Sequence, residues 1–264
     1  MKWYLPFSYG WESRAKTWPD KISFFVIWLL PLFGLCAFFA GLSGRYVLQF
    51  LLAAVAQYSL YEIGYLQNDF VTVRHEKFPN YRLEESQHEV VKKRLKGMVA
   101  ARLLTIALCC LLLALAGVKE IALFRFVSAL VILMGCFGLH NWIRSRWNIL
   151  TYLLLCSVKY SVLLLLFCPV EMLGTPLLTM FFAFPFPRTL EHASKEKYGL
   201  HFLKGSFHRF RLIYYIVFSA ASMIGYLIEW LPLYAPLVAL WYLSYRSIAA
   251  GTLRWTEPIR TAKK

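Results

Sequence analysis

Residues 22–42 read ISFFVIWLLPLFGLCAFFAGL, a run without one charged side chain. At about 1.5 Å of rise per residue such a run is about 30 Å long as a helix, the thickness of a bilayer's hydrocarbon core. Working back from it, the first twenty residues, MKWYLPFSYGWESRAKTWPD, lack the apolar centre and small-residue cleavage site of a signal peptide, so this arm is expected to be retained. Its Trp3, Tyr4, Trp11 and Trp18 suit the headgroup zone. Working forward, apolar runs recur near 46–69, 98–117, 120–140, 149–167, 169–186, 212–231 and 233–250. The pattern predicts an all-α, polytopic transmembrane bundle of about eight helices, seven to nine depending on how closely spaced pairs divide, forming one domain over 1–264.

Composition agrees with that reading. The chain is 59% hydrophobic and 17% aromatic, with a mean hydropathy of +0.53, far more apolar than a soluble domain of 264 residues needs. Its 29 Lys and Arg against 14 Asp and Glu would suit nucleic acid, but a nucleic-acid module does not carry successive runs of bilayer length. Membrane surfaces and phosphorylated ligands are the partners that fit, and nucleic acid is excluded. Cys36, Cys109, Cys110, Cys136, Cys156 and Cys168 all fall in or beside apolar runs, without metal-ligand spacing or a secreted disulfide framework.

Charge sets the expected topology, because cytoplasmic loops collect Lys and Arg. The N-terminal arm, the loops 70–97, 141–148 and 187–211 and the tail after 250 hold 23 of the 29 cations. The opposite side receives Arg45 and Lys119 alone, while Arg102, Arg125, Lys159 and Arg246 lie within or at the ends of spans. That bias predicts an integral, multi-pass protein of a cell inner membrane with both termini in the cytoplasm. The two long loops, 70–97 and 187–211, are where chemistry is to be sought.

Two polar segments stand at those loops. In YEIGYLQNDFVTVRHEKFPNYRL, residues 61–83, helical spacing puts Tyr58, Glu62, Tyr65 and Asp69 on roughly one face with Asn68 beside them. An acid inside a span is costly and faces a cavity or a partner; Glu62 as a structural partner of a buried cation is equally open. In FPFPRTLEHASKEKYG, residues 184–199, Pro185 and Pro187 should break the helix just before a polar stretch. Glu191, Lys195 and Gly199 then follow at four-residue spacing, which a solvated helix face would also give.

Together these segments resemble the UbiA superfamily of intramembrane prenyltransferases, with one Asp-rich motif after the second helix, N-D-x-x-D-x-x-x-D, and another after the sixth, D-x-x-x-D-x-x-x-G. Asn68 and Asp69 match the opening of the first motif, Thr72 falls where an Asp is expected, and Glu76 takes the last acidic position. Arg82, trailing the motif, also has a counterpart. In the second motif Glu191 stands for the first Asp, Lys195 replaces the second, and Gly199 is in register. The layout is matched over nearly the whole chain, while the motifs are degenerate.

The resemblance implies a transferase acting on a polyprenyl phosphate or diphosphate lipid, with a phosphorylated small molecule or an isoprenoid as co-substrate. Its main variant moves a phosphoribosyl group from phosphoribosyl diphosphate to a polyprenyl phosphate. Mg2+ is implied as cofactor, because hard cations held by carboxylates can neutralise a diphosphate leaving group. On this reading Asn68, Asp69, Glu76 and Glu191 hold the metal, Asp69, Glu191 and Lys195 are catalytic, and Tyr58, Glu62 and Tyr65 line the cavity. Asn68, Arg82, Arg144, Arg146, Lys159 and Arg188 bind phosphate. Lys195 can serve as a fixed cation in place of part of a metal's work.

His140, Arg144 and Asn148 share a face if the fourth helix continues past its membrane end. Lys159, in the middle of LTYLLLCSVKYSVLLLLF, should point into the bundle, toward a carboxylate such as Glu62 or a lipid phosphate. EESQHEVVKKRLKG, residues 84–97, looks helical, and its cations suit anionic headgroups. The competing function class is a non-catalytic membrane protein, a carrier or a scaffold for lipid-linked assembly.

Overall fold

The computed structural model describes residues 2–75, 81–143, 145–195, 198, 200, 203 and 207–253. Every regular element among them is helical. The chain divides into two compact units, Met1–Leu177 and Leu178–Lys264.

In the first unit a short helix α1 (Ser8–Ser13) precedes α2 (Trp18–Phe24), which passes through a π turn at Phe25–Leu29 into α3 (Leu30–Ala40). Thr17 starts α2 with a capping box, its hydroxyl accepting from the Asp20 N–H while Asp20 accepts from the Thr17 N–H. The long helices α4 (Gly44–Phe70), α5 (Glu85–Leu115), α6 (Glu120–Trp142) and α7 (Asn148–Phe167) follow. α4 packs chiefly on α5, and α6 on α7. Gly64 lets α6 close on α4: the Phe137 ring occupies the space a Cβ would need, and Asn141 donates to the Gly64 carbonyl at 3.2 Å.

The second unit contains most of α8 (Gly174–Ala183), then α9 (Pro185–Ala193), α10 (Phe207–Leu227) and α11 (Tyr234–Leu253), with α10 and α11 paired. The expected sixth span is two short helices. Pro187 has no N–H to offer the Ala183 carbonyl four residues back, so α8 stops. Tyr215 donates its hydroxyl to that carbonyl at 2.8 Å, and Tyr214 to the Phe182 carbonyl at 2.6 Å. With ten residues, α8 is too short to cross a bilayer.

Among the described residues six helical stretches are long and apolar enough to span a membrane: Trp18–Ala40, Gly44–Arg74, Glu85–Leu115, Glu120–Trp142, Asn148–Phe167 and Phe207–Leu227. Burial follows the inside-out logic of a bilayer. On α5, Leu104, Leu108, Leu111 and Leu115 face outward, while Arg102 on the same helix has no exposed surface at all. α5 also begins thirteen residues before the expected span at 98. It is about 46 Å long, well beyond a hydrocarbon core of about 30 Å, so the segment expected as loop 84–97 is its first turns.

Candidate functional site

Glu62 has no exposed surface, and its partners come from two directions. Arg102 of α5 donates Nε to Oε2 at 2.9 Å. The N-terminal arm supplies the Gly10 N–H to Oε1 at 2.7 Å and the Phe7 N–H to Oε2 at 3.1 Å. Those amides lie at the start of α1, where a helix leaves N–H groups unpaired and favours negative charge. A carboxylate on a membrane helix thus caps a helix more than fifty residues away. Arg102 completes the junction by donating Nη2 to the Leu5 carbonyl at 2.8 Å. Phe7 stacks on Tyr58, ring centroids 4.4 Å apart, which buries Tyr58.

Gly10 is required by this closeness, because a Cβ there would collide with the Tyr58 hydroxyl. Gly10→Ala is expected to destabilise the docked arm by about 1–3 kcal/mol through overpacking. Limited trypsin digestion at Arg14 and Lys16 should become faster in the variant, while the spans stay intact.

Two turns along α4, Asp69 is 6% exposed and is also held by the arm. Oδ2 accepts from the Tyr9 hydroxyl at 2.6 Å; Oδ1 accepts from Arg14 Nη2 at 2.7 Å and Asn68 Nδ2 at 2.9 Å. Burial, then the neighbouring Asp69 carboxylate, push the Tyr9 phenol far above its ordinary value, so it stays a donor. The Arg14 guanidinium lies over Tyr65 at 4.7 Å, and its Nη1 is buried without a hydrogen-bond partner among the described residues. Trp3, Tyr9, Leu66, Phe70, Leu83, Val91 and Met98 pack into one core cluster around this junction. Beside it opens a cavity of about 650 Å³, walled by Asp69, Arg74, Glu85, His88, Glu89 and Lys92 among others. His88 stacks on Phe70 at 4.5 Å and meets Tyr81 edge-on at 5.5 Å.

Lys159 is not paired with Glu62 in the described structure. Its ammonium sits over the rings of Tyr61 and Trp28, at 4.5 and 4.7 Å, while Glu62 is paired with Arg102. An aromatic cage stabilises a desolvated cation through the ring quadrupoles. The alignment of His140, Arg144 and Asn148 is also not formed. α6 ends at Trp142 with Ile143 extended, and the Asn148 side chain donates to the His140 and Ile143 carbonyls at 2.9 and 2.7 Å, closing the end of α6. Arg146 and Arg82 are exposed, Thr72 lies in a 3-10 turn with its hydroxyl on the Gln67 carbonyl, and Glu76, Arg144 and Gly199 lie outside the described residues.

In the second unit Glu191 is gripped by a guanidinium fork. Arg211 donates Nε to Oε1 at 2.5 Å and Nη2 to Oε2 at 2.8 Å, and Arg188 adds Nη1 to Oε2 at 2.5 Å. Burial pushes the Glu191 carboxyl up, but the Arg211 hydrogen bonds and the two guanidinium charges outweigh it and hold the group below the ordinary glutamate range. A depressed carboxyl stabilises the fold above its unfolded-state value, and that stabilisation is lost as pH falls through the folded-state value. The thermal midpoint should therefore drop on acidification below the ordinary value of 4.5, with Glu191→Gln flattening that drop. α9 ends at Ala193, so Lys195 does not continue a helical face from Glu191. Its Nζ is 3.1 Å from His192 Nδ1, and His192 Nε2 is 2.8 Å from the Tyr198 hydroxyl.

No family model, curated protein or solved structure matches this chain. Function therefore rests on the residues themselves. Among the described residues no three His, Cys, Asp or Glu side chains converge as a metal site. Asp69 accepts from Tyr9, Asn68 and Arg14, and Glu191 from Arg188 and Arg211, so these carboxylates do not fit a resident magnesium as they stand. Sequence reasoning missed Arg14, Tyr9, Arg102 and Arg211. Glu62, Asp69 and Glu191 signalled them, since a buried acid demands a partner without naming it.

Proposed function

We propose that the chain is a membrane-embedded transferase of the UbiA type, acting on a polyprenyl phosphate or diphosphate at the Asp69 end of α4. What supports this reading is Arg14: Asp69 anchors one of its nitrogens while Nη1, buried beside Tyr65, has no partner among the described residues. A guanidinium fixed in this way has a donor left over for a phosphate oxygen. The adjoining cavity adds Arg74 and Lys92 to meet the charge of a diphosphate leaving group. Cations of the chain then neutralise leaving-group charge, and Asp69 positions Arg14. Two phosphorylated substrates, phosphoribosyl diphosphate as donor and polyprenyl phosphate as acceptor, would meet Arg14, Arg74 and Lys92 there, with Glu85 and Glu89 on the same wall and Glu89 3.4 Å from the Lys92 ammonium. The magnesium implied by the resemblance would have to displace Arg14 from Asp69.

The same pairing favours a second reading, a non-catalytic carrier or scaffold, in which Asp69 and Glu62 serve only to dock the arm. Purified full-length protein in detergent separates the two. It is supplied with magnesium and either labelled prenyl diphosphates or phosphoribosyl diphosphate with polyprenyl phosphate. Turnover that Arg14→Gln reduces by about tenfold or more is the transferase result. Absence of turnover with every donor supports the scaffold.

A further inference from the structure

At the other end of α4, some 30 Å from Asp69 by helical rise, the first unit closes around a second cavity of about 720 Å³. Its wall includes Gln49 of α4, Lys119 and Arg125 from the start of α6, and Phe167 and Glu171 from the end of α7. The charges gathered here are unusual for this chain. Arg45 and Lys119 are the two cations that the charge count leaves on this side, against 23 on the other. Both are at this cavity: Lys119 lines it, and the Arg45 guanidinium lies 3.7 Å from where a Cβ of Gly117 would stand. Gly117 has φ +79°, the left-handed turn that ends α5 and brings Lys119 round.

Arg125 is the third. It donates Nη1 to the Cys168 carbonyl at 3.3 Å, and its Nε is buried without a partner among the described residues. Glu171 is the acid on the wall and Glu120 adjoins Lys119, yet among the described residues neither forms a salt bridge with Arg45, Lys119 or Arg125. Three cations with spare donors, around an opening whose wall is otherwise mostly apolar, are short of one anion. A buried guanidinium nitrogen without an acceptor is costly, and with the exposed Lys119 ammonium and Arg45 guanidinium nearby it suits a phosphate oxygen.

We propose that this cavity is a phosphate-group site, held by Arg125 and Lys119 with Arg45 at the rim, separate from the Asp69 junction and independent of the transferase reading. The phosphate belongs to a lipid headgroup, its chains on the apolar wall, or to free phosphate.

The test uses delipidated full-length protein in a maltoside detergent. Three probes are titrated by thermal shift and native mass spectrometry: dihexanoyl phosphatidic acid, inorganic phosphate, and dihexanoylglycerol as the phosphate-free control. Saturable binding of phosphatidic acid, weakened about tenfold by Arg125→Gln or by Lys119→Gln, is the expected result. Binding of phosphatidic acid without inorganic phosphate assigns a headgroup; binding of inorganic phosphate with the same dependence assigns the free anion. If Arg125→Gln does not fold, the exposed pair Arg45→Gln and Lys119→Gln carries the test. Equal binding of dihexanoylglycerol, no binding by either phosphate probe, or binding indifferent to these substitutions overturns the proposal.

Discussion

Arg102→Met should be among the most destabilising single substitutions in the first unit, lowering stability by about 3–5 kcal/mol. The size follows from what is left behind. Arg102 and Glu62 are both fully buried, so removing the cation strands a carboxylate among apolar helices with only the Phe7 and Gly10 amides to hold it. The Leu5 carbonyl loses its donor at the same time, so the arm loosens with the pair. The double variant Glu62→Gln with Arg102→Met removes both charges and should recover part of the loss, since an uncompensated buried charge is worse than none. Thermal midpoints of the two variants in one detergent read this directly. A double variant less stable than Arg102→Met would show that shape rather than charge governs the junction.

That pairing also shows where a sequence stops being legible. The long spans could be read because a bilayer imposes a length on every apolar run, and 120–140 and 149–167 fall within two residues of α6 and α7. EESQHEVVKKRLKG was legible as helical, but its continuity with the span beginning at 98 was not, because it carries no apolar stripe of bilayer length. The break in the sixth span could be anticipated, since two prolines spaced by one residue interrupt the ladder whatever surrounds them. Glu62 announced that it needed a cation, but Arg102 and Lys159 both met that description. Which one serves depends on how α5 and α7 are rotated about their axes, a property of packing that no local pattern carries. The arm was least legible of all. Tyr9 meets Asp69 across sixty residues, and an aromatic-rich N-terminus reads equally well as a headgroup anchor.

Asp69→Asn should separate the two functional readings more sharply than any other substitution. Its effect passes through Arg14. The amide keeps the shape of the carboxylate and can still accept from Tyr9, but it no longer holds the guanidinium by charge. If Arg14 orients a phosphate, misplacing it by about 1 Å costs on the order of 100-fold in turnover, because catalysis by positioning is steep in distance. The stability effect should be smaller than for Arg102→Met. The Arg14 side chain is 20% exposed, so water takes over part of its solvation, whereas the Arg102 side chain has none. Turnover and thermal midpoint measured on the same preparation therefore move differently. A fall of about 100-fold in kcat with KM little changed identifies Asp69 as a positioning residue of a transferase, and Arg14→Lys should keep more turnover than Arg14→Gln, since the charge survives without the fork. A fall in midpoint and faster cleavage of the arm, with labelled substrate left unconverted by wild type and variant alike, would assign Asp69 to holding the arm alone.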